Sequence, residues 1–328
     1  MPDPLSPAQP PKPHGARRFW LFAPYAAVLI ALIAWTGVWW AEKARVEQTL
    51  RDQAGALTAR GYAASFTVGG IDGWPFRLHV TLLAPRFGEP SGWSLSAPRI
   101  EAMAAAYDPG RWTLVAPDGL VLTRPGKGPV NVSGRAIRAS AGGLTSDAPR
   151  FSFEGLDLAL APAPGGLPAA FTTASRIEAH LQPGPDDQAA LLIRVEGAAL
   201  RPDSALGRLA PGQAFGLVWD SRLSHLSALR GQTWPLAVQA WVHAGGFMRL
   251  AQGQISLGDL VLQGAGGPLV ADEEGRLSGS LPLTLEGGQS GHPGGVANLM
   301  LHGPIPLRFE RGRASIGPIP IGPALKVG

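Results

Sequence analysis

Phe19–Trp40, FWLFAPYAAVLIALIAWTGVWW, is a run of 22 residues without a charge. As a helix rising about 1.5 Å per residue it covers roughly 33 Å, enough to cross a hydrocarbon core of about 30 Å. Its ends carry aromatic rings, Trp20 and Tyr25 toward one and Trp35, Trp39 and Trp40 at the other. Amphipathic rings favour the two membrane interfaces, so Trp20, Trp35, Trp39 and Trp40 are the expected interface anchors. Pro24 falls in the first turns, where a missing N–H costs least. A cleaved signal peptide is the alternative. Its apolar region spans about 7–15 residues before a small-residue cleavage site. Here the run is longer and closes on Trp39-Trp40, so an uncleaved anchor is expected.

Lys12, Arg17 and Arg18 precede the run, and Lys43, Arg45, Arg51 and Arg60 follow it, so counting basic residues does not set the orientation. Short basic tails stay inside, whereas long domains translocate largely regardless of charge. The expectation is a single-pass inner-membrane protein of a Gram-negative cell. Residues 1–18 would be a disordered, proline-rich cytoplasmic tail and the bulk of the chain would lie in the periplasm.

Residues 41–60 read as a stalk helix continuing from the membrane. Glu47 and Arg51 are spaced i,i+4, Val46, Leu50 and Leu57 share a face, and Gly61 is a natural stop. From Tyr62 the hydrophobic period becomes two. Tyr62, Ala64, Phe66 and Val68 share one phase. Phe76, Leu78, Val80 and Leu82 alternate with Arg77, His79 and Thr81. The pattern recurs at Trp93–Ala97, Leu156–Leu160, Ile177–Leu181 and Leu191–Val195, and in short runs to the end of the chain. Such runs bounded by Gly/Pro turns predict antiparallel strands with one dry face. Thr233–Gly246 departs from this and predicts a short helix near 234–244, with a strand placing Leu236, Val238 and Ala240 inward as the alternative. The fold class is therefore mainly β. The transmembrane helix (19–40) and stalk helix (41–60) precede an elongated, curved antiparallel sheet over 61–328. That sheet is an open groove or a half-barrel or sandwich, with a sub-boundary near 201–214. GPIP occurs at Gly303–Pro306 and Gly317–Pro320. Proline cannot donate to a ladder, so both copies are expected at exposed edges or turns.

The residues offer little chemistry. Cysteine is absent, which excludes disulfides and thiolate sites. The net charge of +4 gives no field suited to nucleic acid. His79 and His180 occupy the polar phase of their strands, Asp272–Glu274 reads as a charged turn, and Gly288–His292 lacks the spacing of a nucleophile elbow. No catalytic residue, metal site or cofactor is expected, and the chain is read as a non-enzyme. The expected groove lining is Phe66, Val68, Phe76, Leu78, Val80, Leu82, Leu191, Ile193 and Val195, with Trp74 and Pro75 as a rim. The expected partners are the inner membrane and lipid or another hydrophobic molecule. A scaffold acting through envelope protein contacts is the alternative.

Gly70-Ile71-Asp72-Gly73-Trp74-Pro75-Phe76-Arg77, Ala244-Gly245-Gly246, Asp272–Gly279 and Ile316–Gly322 together resemble the alphaproteobacterial domain-of-unknown-function family DUF2125. That resemblance implies no activity and no catalytic residue. The anchored β-rich layout is also similar to AsmA-like envelope proteins, which implies a hydrophobic groove along which lipid moves.

Overall fold

The computed structural model describes residues 15–143, 149–209, 211–229, 233–272, 274–286 and 304–324. The tail before Gly15, the side chain of Trp20, the Gly288–His292 segment and the expected strand at 297–303 lie outside the described residues.

The membrane segment and the stalk form one helix, α1 (Gly15–Ala59). It ends where expected: Gly61 adopts φ 86° and Tyr62 donates its N–H to the carbonyl of Leu57 at 3.0 Å. The chain then turns back along the helix as β1 (Ala63–Asp72). Along α1 the residues Trp35, Trp39, Lys43, Val46, Leu50, Ala54 and Leu57 are buried or half-buried, while nearly every position from Phe22 to Ala34 is exposed. That spacing is one helical stripe, and it lies against the start of the sheet.

Among the described residues eighteen strands form one antiparallel sheet. β2 (Arg77–Gly88) pairs back on β1. The next three ribbons are each broken once, into β3 (Ser94–Ser96) and β4 (Arg99–Ala105), β5 (Asp108–Val115) and β6 (Leu120–Arg124), and β7 (Gly128–Ser133) and β8 (Ala136–Gly142). Each half pairs with one half of the next ribbon, β3 with β6, β4 with β5, β5 with β8 and β6 with β7. β9 (Arg150–Pro162), β10 (Phe171–Pro183) and β11 (Ala189–Leu200) follow as unbroken long strands. The breaks fall on one line across the sheet. It passes through Ala84 (φ 45°), the β3–β4 and β5–β6 joints, Gly134-Arg135, Asp157 (φ 50°), Ser175 and Gly197 (φ 57°). An extra residue bends its strand and raises the local twist, so a row of them creases the whole sheet.

A short helix α2 (Ala205–Leu209) joins β11 to β12 (Ala214–Leu223), and the ladder continues through this connection without interruption. The predicted helix is α3 (Trp234–His243), followed by β13 (Met248–Leu257), β14 (Leu260–Ala271), β15 (Leu277–Leu285), β16 (Ile305–Glu310), β17 (Arg313–Ile316) and β18 (Ile319–Pro323). Every connection leads to an adjacent ribbon, and α2 packs against β18. The C-terminal strands therefore curl until the last one reaches the β11–β12 connection.

Pro306 corrects one expectation. It lies inside β16, opposite Pro282 of β15, rather than at an edge. Two residues that lack an N–H can face each other only as a non-hydrogen-bonded pair. The pattern of the ladder allows that placement.

The register builds the core. Ile71, Val80, Ala102, Leu114, Ala139, Phe153, Ala179, Ile193, Trp219, Gly253, Gly264, Leu283 and Ile305 are successive cross-strand partners. At about 4.8 Å per strand this unbroken apolar row runs roughly 58 Å across the sheet.

Candidate functional site

A dry face must be covered or leave hydrocarbon in water, and this one is treated in three ways along its length. At the N-terminal end α1 covers it. Trp39 (4% exposed) packs with Ile71, Leu78, Val80, Leu82 and Ile100, and Val46 and Leu50 extend the contact. At the C-terminal end the sheet covers itself. Trp219, Leu250, Leu262, Leu281, Leu307, Phe309 and Ile316 form one core. Between the two, Leu114, Ala139, Ala141, Phe153, Ala179, Leu181 and Leu191 are only partly buried, and Phe151 is 45% exposed. These side chains line a concavity of about 360 Å³ on the apolar face of β5, β8, β9, β10 and β11.

The opposite face of the same strands is charged. Glu154 stands between Arg138 and Arg176, the latter at 2.9 Å, and Arg176 reaches Glu178 at 3.5 Å. Arg194 continues the ladder to Glu178 at 3.7 Å and to Glu196 at 4.0 Å. The Arg138 hydrogen bond and the two neighbouring guanidinium charges hold the Glu154 carboxyl below its ordinary range, against an opposing desolvation. Exposed pairs contribute little each, about 0–1 kcal/mol. Their main consequence is to fix which face is wet, because a one-residue slip in register would exchange the faces. His79 lies on this wet side too, 3.0 Å from Asp72 and 3.6 Å from Glu101. No group of three or more His, Asp and Glu positioned to hold a metal ion occurs among the described residues.

The expected groove residues separate into three groups. Leu78, Val80 and Leu82 are buried beneath α1, with Phe66 and Val68 packed at the margin of the same core. Leu191 and Ile193 border the uncovered strip, while Val195 is buried with Ala174 and Ala198. Phe76 is exposed in the β1–β2 turn beside Trp74. The open part of the face falls instead on Phe151, Phe153, Ala139 and Ala141, whose alternation in RFSFEG and AIRASAG is readable as strand but carries no mark of exposure. Trp35 and Trp39 also bond to the protein itself. Their indole Nε1 groups donate to the carbonyls of Pro75 and Arg77, each at 2.8 Å, and Trp39 is sealed by protein rather than presented to headgroups. Trp40 remains exposed, with Lys43 about 5.0 Å above its ring.

The N-cap residue of α3, Thr233, makes no side-chain cap bond. The orphan N–H of Trp234 goes instead to Glu89 Oε1 at 2.9 Å, in the β2–β3 turn. This joins α3 to the β2–β3 turn, 145 residues apart in sequence.

The profile of a family described as an uncharacterized protein conserved in bacteria matches residues 39–301. The chain belongs to the DUF2125 family. Its matched region opens at Trp39, the α1 residue buried in the sheet, and takes in the crease and the whole uncovered strip. Strands β16–β18, which complete the C-terminal curl, follow the DUF2125 match. No curated protein and no solved structure matches the chain, and the expected likeness to AsmA-like proteins is not shown.

Proposed function

We propose that this DUF2125 chain is anchored in the inner membrane by α1 and shields an acyl chain, or a hydrophobic molecule of similar shape, on the uncovered strip of its periplasmic sheet. The reading makes it a binding protein rather than an enzyme. The observation that carries it is the apolar concavity lined by Leu114, Phe151, Phe153, Leu181 and Leu191, with Phe151 45% exposed, between two parts of the same face that are closed. Contiguous exposed apolar surface of this kind marks a contact site. Each methylene moved out of water contributes about 0.8 kcal/mol. Eight methylenes laid along the strip therefore gain roughly 6 kcal/mol before the costs of ordering, without any polar specificity.

The anchor reading is supported by α1, the one helix among the described residues whose window from Phe22 is apolar enough to span a membrane, and by the use of Trp39 of that helix in the core. Cleavage after Trp35 would remove its bond to Pro75.

The test places a photoreactive benzophenone amino acid at Phe153 of the full-length chain in living cells, with Ser152, on the opposite face, as the control. Lipid adducts from position 153 and not from 152 are expected. Adducts only to protein would favour a scaffold, and none at either position would refute ligand binding.

A further inference from the structure

We propose that the tip of the sheet formed by Trp74, Phe76 and Tyr107 is inserted in the outer interface of the bilayer that holds α1, so that the body sits flush on the membrane rather than on a free stalk. The inference rests on the anchor reading above and adds a second contact with the same bilayer. The uncharged helix before the docked stripe, Phe19–Ala34, has 16 residues and covers only about 24 Å at roughly 1.5 Å per residue. A hydrocarbon core of about 30 Å needs about 20 residues. The outer boundary of the core therefore falls close to Val38, beyond Trp35 and short of Trp40.

Trp35 is the residue that carries the body down to that level. Its Nε1 donates to Pro75 O at 2.8 Å, and one turn further on Trp39 donates to Arg77 O. The β1–β2 turn is thus fixed to the helix at the boundary, not above it. Ala106 N–H donates to Phe76 O at 2.9 Å, which sets the β4–β5 turn, with Tyr107, beside the same tip. Trp74 is 51% exposed, Phe76 65% and Tyr107 76%. Three aromatic rings at adjacent turns, all turned away from the protein core, suit the zone where amphipathic rings partition. Lys43 lies one turn above, over the faces of Trp39 and Trp40, where an ammonium meets lipid phosphate.

The chain has no cysteine, so single cysteines report single positions. Trp74→Cys, Phe76→Cys and Tyr107→Cys are made one at a time in the full chain, labelled with an environment-sensitive nitrobenzoxadiazole dye and reconstituted in phosphatidylcholine–phosphatidylglycerol vesicles. Leu29→Cys, at the centre of the apolar helix, reports spanning. Trp93→Cys, an exposed aromatic position in the β2–β3 turn at the other end of β2, is the aqueous reference. Blue-shifted emission at 74, 76 and 107, quenched by nitroxides placed near the glycerol level and protected from iodide, is the expected result, with 93 unaffected. If Leu29 is quenched by deep nitroxides while the three tip positions behave like 93, the tip contact is wrong and the anchor stands. If Leu29 itself is not quenched, the anchor reading fails and the tip contact fails with it.

Discussion

The uncovered strip makes a quantitative claim about single truncations. Phe151 is 45% exposed and Leu78 is fully buried beneath α1. A fully buried Phe side chain is worth about 1.5–3 kcal/mol of transfer energy. With a little over half of its surface covered, Phe151→Ala should cost roughly 0.8–1.7 kcal/mol and leave no closed cavity, because one side of the ring already faces solvent. Leu78→Ala removes the transfer energy and leaves a void sealed by Trp39, Val80 and Ile100, which costs about 2–5 kcal/mol. For a body of this size each kcal/mol moves Tm by about 2–4 °C. The expected shifts are roughly 2–7 °C for Phe151→Ala and roughly 4–20 °C for Leu78→Ala. Thermal unfolding of the two full-length variants in one detergent, followed by near-ultraviolet circular dichroism, gives the ratio, which should be near threefold. Equal costs would mean that something seals Phe151 as thoroughly as α1 seals Leu78, and the open strip would be refuted.

In the Gly70–Arg77 motif the two flanking glycines should behave oppositely. A Cβ at Gly73 (φ 100°) would stand 2.9 Å from the carbonyl oxygen of Arg77, whereas one at Gly70 meets nothing within 4 Å. Gly73→Ala should therefore destabilise by about 1–3 kcal/mol and Gly70→Ala by far less, as read by denaturant midpoints. Glu154 has a depressed carboxyl pKa, so it contributes stability above its unfolded value of about 4.3 that is lost as pH falls through the folded value. Denaturant midpoints measured from pH 7 downward should fall less steeply on the acid side for Glu154→Gln than for the parent. Trp241, fully buried, donates to the Ser224 carbonyl at 2.6 Å. Trp241→Phe should cost about 1–3 kcal/mol for the orphaned acceptor, which a thermal melt would show.

The legible part of this fold was its periodicity. Leu78–Leu82, Ile177–Leu181 and Leu191–Val195 carry the alternation and appear in β2, β10 and β11, and the break at Thr233–Gly246 is α3. The register was not legible, because the crease depends on Ala84 at positive φ, a residue type with no turn signal, and on Asp157 at positive φ, whose tolerance of that region is masked by the alternating run Leu156-Asp157-Leu158 around it. Trp35 and Trp39 show how one property serves two settings. An amphipathic indole suits a membrane interface, and the same ring with a single N–H donor suits a core margin with a free carbonyl. Continuing the Val46–Leu50–Leu57 stripe back by the helical period reaches both tryptophans, so their docking was available to a longer reading of the same pattern. Exposure of Phe151 and Phe153 was not available, since a strand's dry phase does not record what lies over it.

What lies over it follows from side-chain bulk along the apolar row. At the C-terminal end the row reads Gly253, Gly264, and neighbouring side chains fold across those backbones. A Cβ at Gly253 would lie 2.6 Å from Leu250 Cδ2, and one at Gly264 would lie 2.5 Å from the Pro282 carbonyl and 2.7 Å from Leu283 Cδ2. Strands that approach this closely can curl and bury Leu250 and Leu283. In the middle the same row reads Ala139, Phe153, Ala179, Ile193, where every backbone carries a side chain that holds an opposing surface away. Gly264→Ala should therefore open the curl. It should lower the denaturant midpoint and increase binding of the dye ANS, because β14 has to move off the backbone of β15. Ala179→Leu adds more bulk on the uncovered strip and should leave the midpoint close to the parent, since overpacking costs about 1–3 kcal/mol only where neighbours confine the added atoms. A midpoint for Ala179→Leu as low as that of Gly264→Ala would place a lid over the strip and remove the basis for a bound chain there.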